Sequence, residues 1–242
     1  MPLHHLYRES HGFGNQNICR LSASGRTRTL ISRYHTQTMA KNKPEILFAT
    51  SNRGKLAEME RLLAGTDMRF VDLGRFPDVV EVPENGSTFL ENAELKASGY
   101  AVQTSLLTLA DDSGLEIDSL EGRPGVYSAR YGGPDLDFAG KMGLVLSELA
   151  ETDDPDRRAR FVAVVSVADP LGNILVSKLG ICRGRIAAEA RGTGGFGYDP
   201  IFIPDGYEHT FGELPEPVKR QISHRAAAFS QIIPFLRDIT AV

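Results

Sequence analysis

Cysteine is scarce: Cys19 and Cys182 are the only two in 242 residues. They cannot build a disulfide framework, and their separation is not that of a metal-binding motif. A reducing, intracellular setting fits this usage, with the cytoplasm as the expected compartment. No apolar stretch approaches the roughly 18 residues of a membrane-crossing helix, so no membrane partner is expected. No segment repeats at a fixed period, which excludes solenoids and propellers. A basic body is also missing. Residues 1–38 carry +4, from Arg8, Arg20, Arg26, Arg28 and Arg33 against Glu9, and the formal net charge of −4 therefore leaves −8 on the remainder. Broad nucleic-acid binding needs a basic face, so no nucleic acid is expected as partner. A polyanion would have to enter a local pocket with the help of a cation.

What is present describes an ordinary globular chain, 41% apolar and 24% charged, long enough for one large domain or two small lobes. The N-terminal segment shows no sustained apolar period, is rich in Arg, Ser and Thr, and holds four of the six histidines. A transit peptide, a true start at Met39 and a disordered arm all match that composition. The expected organisation is an extension outside the fold over residues 1–43, followed by one catalytic domain over 44–242.

From Glu45 the pattern sharpens. Ile46-Leu47-Phe48-Ala49 suits a buried strand, Thr50-Ser51-Asn52 offers helix caps, and Leu56, Met59, Leu62 and Leu63 recur at helical spacing. Phe70–Leu73 predicts a second strand, Ser87–Gln103 a helix capped by Ser87, and Leu106–Ala110 a strand that stops at Asp111. A helix over Asp137–Leu149, a hairpin of Arg160–Ala168 with Ile174–Cys182, a strand at Pro200–Ile203 and a last helix over Ser223–Arg237 follow. The fold class is α/β with an antiparallel hairpin, not a purely doubly wound sheet.

Four clusters carry chemistry. Thr50-Ser51-Asn52-Arg53-Gly54-Lys55 brings a helix N-terminus and mobile cations to one place, as phosphate binding requires, without the spacing of a Walker loop. Asp111-Asp112-Ser113-Gly114 places two acids so that one faces a cleft and the other holds the loop; hard oxygen ligands of this kind suit Mg²⁺. Turn formation explains the same residues equally well. Glu81 and Glu84 lie in an acidic loop before Glu91, Asn92 and Lys96, and either could complete a metal site. Thr193–Pro200 surrounds Phe196 with glycines, leaving its ring open as a platform for a base, and Arg225 is placed to donate to a keto oxygen.

Taken together, Thr50-Ser51-Asn52 to Lys55, Glu84 through Asn92, Ala110 to Leu115, Gly125 to Arg130, Gly192 to Pro200 and Ile222-Ser223-His224-Arg225 closely resemble the inosine triphosphate pyrophosphatase family, also called Ham1-like. The resemblance spans about residues 45–238. It implies an elongated mixed sheet with two lobes flanking a central cleft, usually in a homodimer. It also implies Mg²⁺-dependent cleavage of ITP, dITP or XTP to the monophosphate and pyrophosphate. By position, Asp112 resembles the general base and a metal ligand, with Glu81 or Glu84 beside it, and Lys96 is a candidate to stabilise developing charge. Thr50, Ser51, Asn52, Arg53, Gly54, Lys55 and Lys219 resemble phosphate contacts, and Ser113 a substrate contact. Phe196, Gly197, Tyr198, Asp199, His224 and Arg225 resemble the nucleoside pocket. Pro215 and Pro217 are expected to shorten the helix that carries Lys219.

Overall fold

The computed structural model describes residues 45–240 apart from Gly65, so the extension expected over residues 1–43 lies outside the described residues. Strand β1 (Glu45–Phe48) is the short apolar run, with Ile46, Leu47 and Phe48 buried. Such runs belong in parallel sheets covered on both faces. β1 lies between β2 (Arg69–Asp72) and β3 (Leu107–Ile117) and is parallel to both. β3 then pairs antiparallel with β4 (Arg158–Ala168), β4 with β5 (Ile174–Ile186), and β5 with β6 (Phe202–Pro204). The result is one mixed six-stranded sheet in the order β2-β1-β3-β4-β5-β6, the α/β class expected. The predicted hairpin is present. Its turn closes on Asp169, whose carboxylate accepts from the N–H groups of Leu171 and Asn173, while Gly172 takes φ +83°.

Five helices cover the sheet: α1 (Arg53–Leu63), α2 (Phe89–Thr104), α3 (Phe138–Ala150), α4 (Glu216–Ile222) and α5 (His224–Thr240). Met59 and Leu63 of α1 and Phe229, Ile232 and Leu236 of α5 bury one face of the parallel half, against Phe48, Leu109 and Val167. Ala97, Tyr100 and Ala101 of α2 bury the other face. A separate core joins Val145 and Leu149 of α3 to Leu115, Phe161, Phe202 and Phe211 at the far ends of the long strands. β3, β4 and β5 are thus shared by two cores, and a cleft opens between them.

That cleft depends on a mismatch of strand lengths. β1 ends at Phe48, and its last link to β3 is the Ala49 N–H on Leu109 O at 2.8 Å. β4 keeps pairing with β3 as far as Ile117. The expectation that the strand stops at Asp111 is therefore corrected: Asp111, Asp112, Ser113 and Gly114 continue the ladder because β4 holds one edge, while the other edge is left open. The helix cap is corrected as well. Thr88, not Ser87, caps α2 by accepting the Glu91 N–H, and the Glu91 carboxylate reaches back in a capping box and also takes the Ser87 hydroxyl.

Gly180 sets how closely α5 approaches β5. A Cβ there would lie 2.0 Å from His224 O and 2.4 Å from Ala228 N, both backbone atoms that cannot swing aside. Gly180→Ala is expected to cost about 1–3 kcal/mol of unfolding free energy, the usual cost of overpacking, in urea titration. A variant as stable as the parent would contradict this contact.

Candidate active site

Successive side chains of a strand project to opposite faces, so Asp111 and Asp112 part company. Asp112 faces a cavity of about 260 Å³. Its Oδ2 accepts from Asn92 Nδ2 at 3.1 Å, and its Oδ1 lies 3.4 Å from Lys96 Nζ. Lys96 also reaches Glu84 Oε2 at 2.9 Å, so two carboxylates converge on one ammonium. Burial raises the Asp112 pKa above its usual range. Burial alone would lower that of Lys96, but Asp112, Asp111 and Glu84 outweigh it and raise it. Glu84 is half-buried beside Lys96, whereas Glu81 lines the exposed rim of the same cavity.

Asp111 anchors a buried charge cluster. Its Oδ2 is 3.1 Å from Lys55 Nζ and 3.2 Å from Arg225 Nε. Arg225 Nη1 donates to Glu58 Oε2 at 2.9 Å and Nη2 to Ser113 Oγ at 2.6 Å, while Ser223 Oγ donates to Glu58 Oε1 at 3.1 Å. Two cations and two anions cancel. Burial would raise the Asp111 pKa, but Lys55 and Arg225 hold it well below the usual carboxylate range. Burial lowers that of Lys55. The cations of the phosphate-loop reading are thus not both mobile: Lys55 is tethered, and Arg53 is exposed at the start of α1, outside the cavity. The amides there are also engaged, since Asn52 Oδ1 accepts from both Gly54 N (2.9 Å) and Lys55 N (3.1 Å). Thr50, Ser51 and Asn52 line the cavity, but Gly54 does not.

Gly54 instead seats Phe196: a Cβ on it would fall 2.7 Å from Phe196 Cγ. Lys219 Nζ stands 4.6 Å and Arg225 Cζ 5.2 Å over the same ring. The open platform expected of Phe196 is therefore corrected to a ring held between cations and backbone, with its edge on the cavity. Gly195 at φ +71° makes room for Asp199, whose Oδ2 accepts from Phe196 N (2.7 Å) and from Lys219 Nζ (2.5 Å). Pro217 falls at the start of α4, which is indeed short, yet Lys219 is firmly placed. Tyr198 lines the cavity beside Gly197, but its hydroxyl is committed to Ser128 O at 2.9 Å. His224 stacks on Phe161 with centroids 4.8 Å apart, and its Nδ1 is buried without a partner. Burial, reinforced by Arg225 and Lys219, lowers its pKa well below the usual value, so the imidazole is neutral.

Residues 46–235 match the Ham1 family. The chain belongs to the Ham1 family. It is 46% identical over 189 residues to a protein of a Nostoc species named dITP/XTP pyrophosphatase, covering 78% of this chain and 92% of that one. A namesake from Desulforamulus reducens is 43% identical over 195 residues, covering 81% and 96%. The solved structure of a HAM1 protein from Coxiella burnetii superposes with a TM-score of 0.74 at 42% identity, covering 81% of this chain and 99% of that one.

This Ham1 chain uses three residues that the sequence motifs did not single out for the site: Glu58, Asn92 and Ser128. Glu58 falls in register with Lys55 on the apolar stripe of α1, and Asn92 one turn before Lys96 on the buried stripe of α2. A polar residue at a core position of a helix is the signal that could have found both. Breaking a buried ion pair by removing one partner costs about 3–5 kcal/mol. Glu58→Gln is therefore expected to lose about 3 kcal/mol in urea unfolding, and unchanged stability would contradict the cluster.

His224 adds a pH dependence. The unfolded chain binds a proton near pH 6.5 while the folded chain, with its depressed pKa, does not. Stability therefore falls as pH drops below that value, by up to about 1.4 kcal/mol per pH unit for this one proton. His224→Asn is expected to flatten the urea-measured slope between pH 7 and 5, and an unaltered slope would contradict a neutral buried imidazole.

Proposed function

We propose that this Ham1 protein hydrolyses dITP, ITP and XTP to the monophosphate and pyrophosphate, using Asp112 as general base. One observation carries the reading: Asp112 alone of the paired aspartates faces the cavity, gripped by Asn92 and Lys96 with Glu84 beside it. The names of the relatives support the substrate class.

The donor set suits Mg²⁺. Among the described residues no group of three or more acidic, histidine or cysteine side chains could hold a metal. Mg²⁺ needs no such cage, because it takes one or two carboxylates and completes its shell with water and phosphate oxygens. Asp112 and Glu84 are the pair we assign to it, in preference to the more exposed Glu81. When bound, the ion would neutralise triphosphate charge in an acidic protein.

The protein's own groups supply the rest. Thr50, Ser51 and Asn52 meet the phosphates. Asp112 takes the proton of a water as its oxygen bonds to phosphorus, and the bond to the departing pyrophosphate breaks. Lys96 offsets the charge that develops there, so catalysis is mainly positioning and electrostatics. His224 and Arg225 face the base. Arg225 has five N–H donors, and Asp111, Glu58 and Ser113 engage three. The remaining two can meet the 6-keto oxygen of hypoxanthine or xanthine, whereas the 6-amino group of adenine would oppose them with a donor. By the family resemblance, we further propose a homodimer working in the cytoplasm. Among the described residues no helix is long and apolar enough to cross a membrane.

The test is steady-state hydrolysis of ITP, XTP, dITP, GTP and ATP, with Mg²⁺ and with excess chelator, assaying pyrophosphate and orthophosphate separately. The expected outcome is pyrophosphate from ITP, XTP and dITP only when Mg²⁺ is present. Orthophosphate as the released product, or equal rates in chelator, would overturn the reading. Arg225→Lys keeps the charge but loses the planar fork. It should narrow the ITP-over-ATP preference in kcat/KM by roughly 10-fold, about the worth of one hydrogen bond.

A further inference from the structure

We propose that Asn92 is the positioning residue that aims the Asp112 carboxylate, a role that rests on the reading of Asp112 as the reacting carboxylate. Asn92 is fully buried on α2. Its two amide ends are distinguishable by their partners. Oδ1 accepts the Gly86 N–H at 2.8 Å, and a backbone amide can only donate. That bond fixes the side-chain orientation and obliges Nδ2 to face β3, where it donates to Asp112 Oδ2 at 3.1 Å. Lys96, one helical turn on, takes the other oxygen, Oδ1. Two side chains of one rigid helix thus hold both oxygens of the carboxylate and set the plane in which its remaining lone pairs face the cavity.

The same amide ties down the acidic loop. Gly86 sits so close that a Cβ on it would fall 2.8 Å from Asn92 Oδ1. Glu84, two residues earlier, is therefore held against Lys96 by a loop whose anchor is also the orienting group of Asp112. Asn92 gives one geometry to groups from three elements, and it touches neither the phosphate loop nor the base pocket. Its loss should lower turnover and leave substrate affinity nearly intact.

Two variants separate its two hydrogen bonds. Asn92→Asp keeps an acceptor for the Gly86 N–H but sets a carboxylate oxygen against Asp112 in place of the donor; Asn92→Ala removes both bonds. We would measure kcat and KM for ITP, with thermal melting of each variant and Asp112→Asn in parallel. Outer partners of a reacting group are typically worth about 10–100-fold in activity. Both variants should lose kcat in that range, with KM within roughly 3-fold of the parent and melting within a few degrees. Should Asn92→Asp fail to fold, Asn92→Ala decides by the same split of kcat from KM. Wild-type kcat in Asn92→Asp beside an inactive Asp112→Asn would overturn the proposal, leaving Asn92 as an anchor of Gly86 only. A rise in KM at unchanged kcat would overturn it as well. Full turnover in Asp112→Asn would instead remove the reading on which it rests.

Discussion

Two neighbouring aspartates in an extended strand cannot face the same way, and the rest of the site is arranged around that alternation. Asp111 points into a dry cluster and is matched by Lys55 and Arg225, with Glu58 balancing the second cation. Asp112 points into the cleft, where Lys96 and Asn92 hold it. Taking an ion out of water costs several kcal/mol, which a buried pair recovers only when the geometry and accessory hydrogen bonds are good. Here they are supplied by α1, β3 and α5 together, so the cluster also fixes how those three elements meet.

The cleft follows from the same strand. Because β1 is short and β4 is long, the middle of β3 keeps one hydrogen-bonded edge and exposes the other. Close contacts then bring the remaining parts in. Gly180 lets the start of α5, with His224 and Arg225, lie directly on β5, and Gly195 lets Asp199 pin the loop that carries Phe196. Phe196 bridges the two sides, seated on Gly54 and covered by Lys219 and Arg225. The loop after β1 and the loop before β6 are thereby one mechanical unit.

Much of this was legible in the sequence. Apolar runs and turn residues located β1, the β4–β5 hairpin and most helices, and clusters of polar residues marked most of the cavity wall. What escaped was pairwise and long-range. The strand through Asp111 and Asp112 looked finished because charged residues ended its apolar run, and only its partner β4 reveals that it continues. Lys55 and Arg53 both read as free cations, yet one is tethered by a residue 56 positions later in the chain and the other faces solvent. Phe196 looked open because glycines flank it in sequence, whereas its neighbours in space are Gly54, Lys219 and Arg225. Glu58 and Asn92 were visible as polar residues in apolar helical stripes, but their partners lie on other elements.

The central claim is a division of labour between adjacent carboxylates, one for the fold and one for the chemistry. Side-by-side urea unfolding and ITP turnover of Asp111→Asn and Asp112→Asn test it most directly. Asp111→Asn should lose about 3–5 kcal/mol of stability, the cost of leaving buried cations unpaired. Asp112→Asn should stay close to the parent in stability while turnover falls by roughly 100-fold or more. If the two variants lose stability and turnover in the same proportion, the two aspartates do not divide the work and the account is wrong.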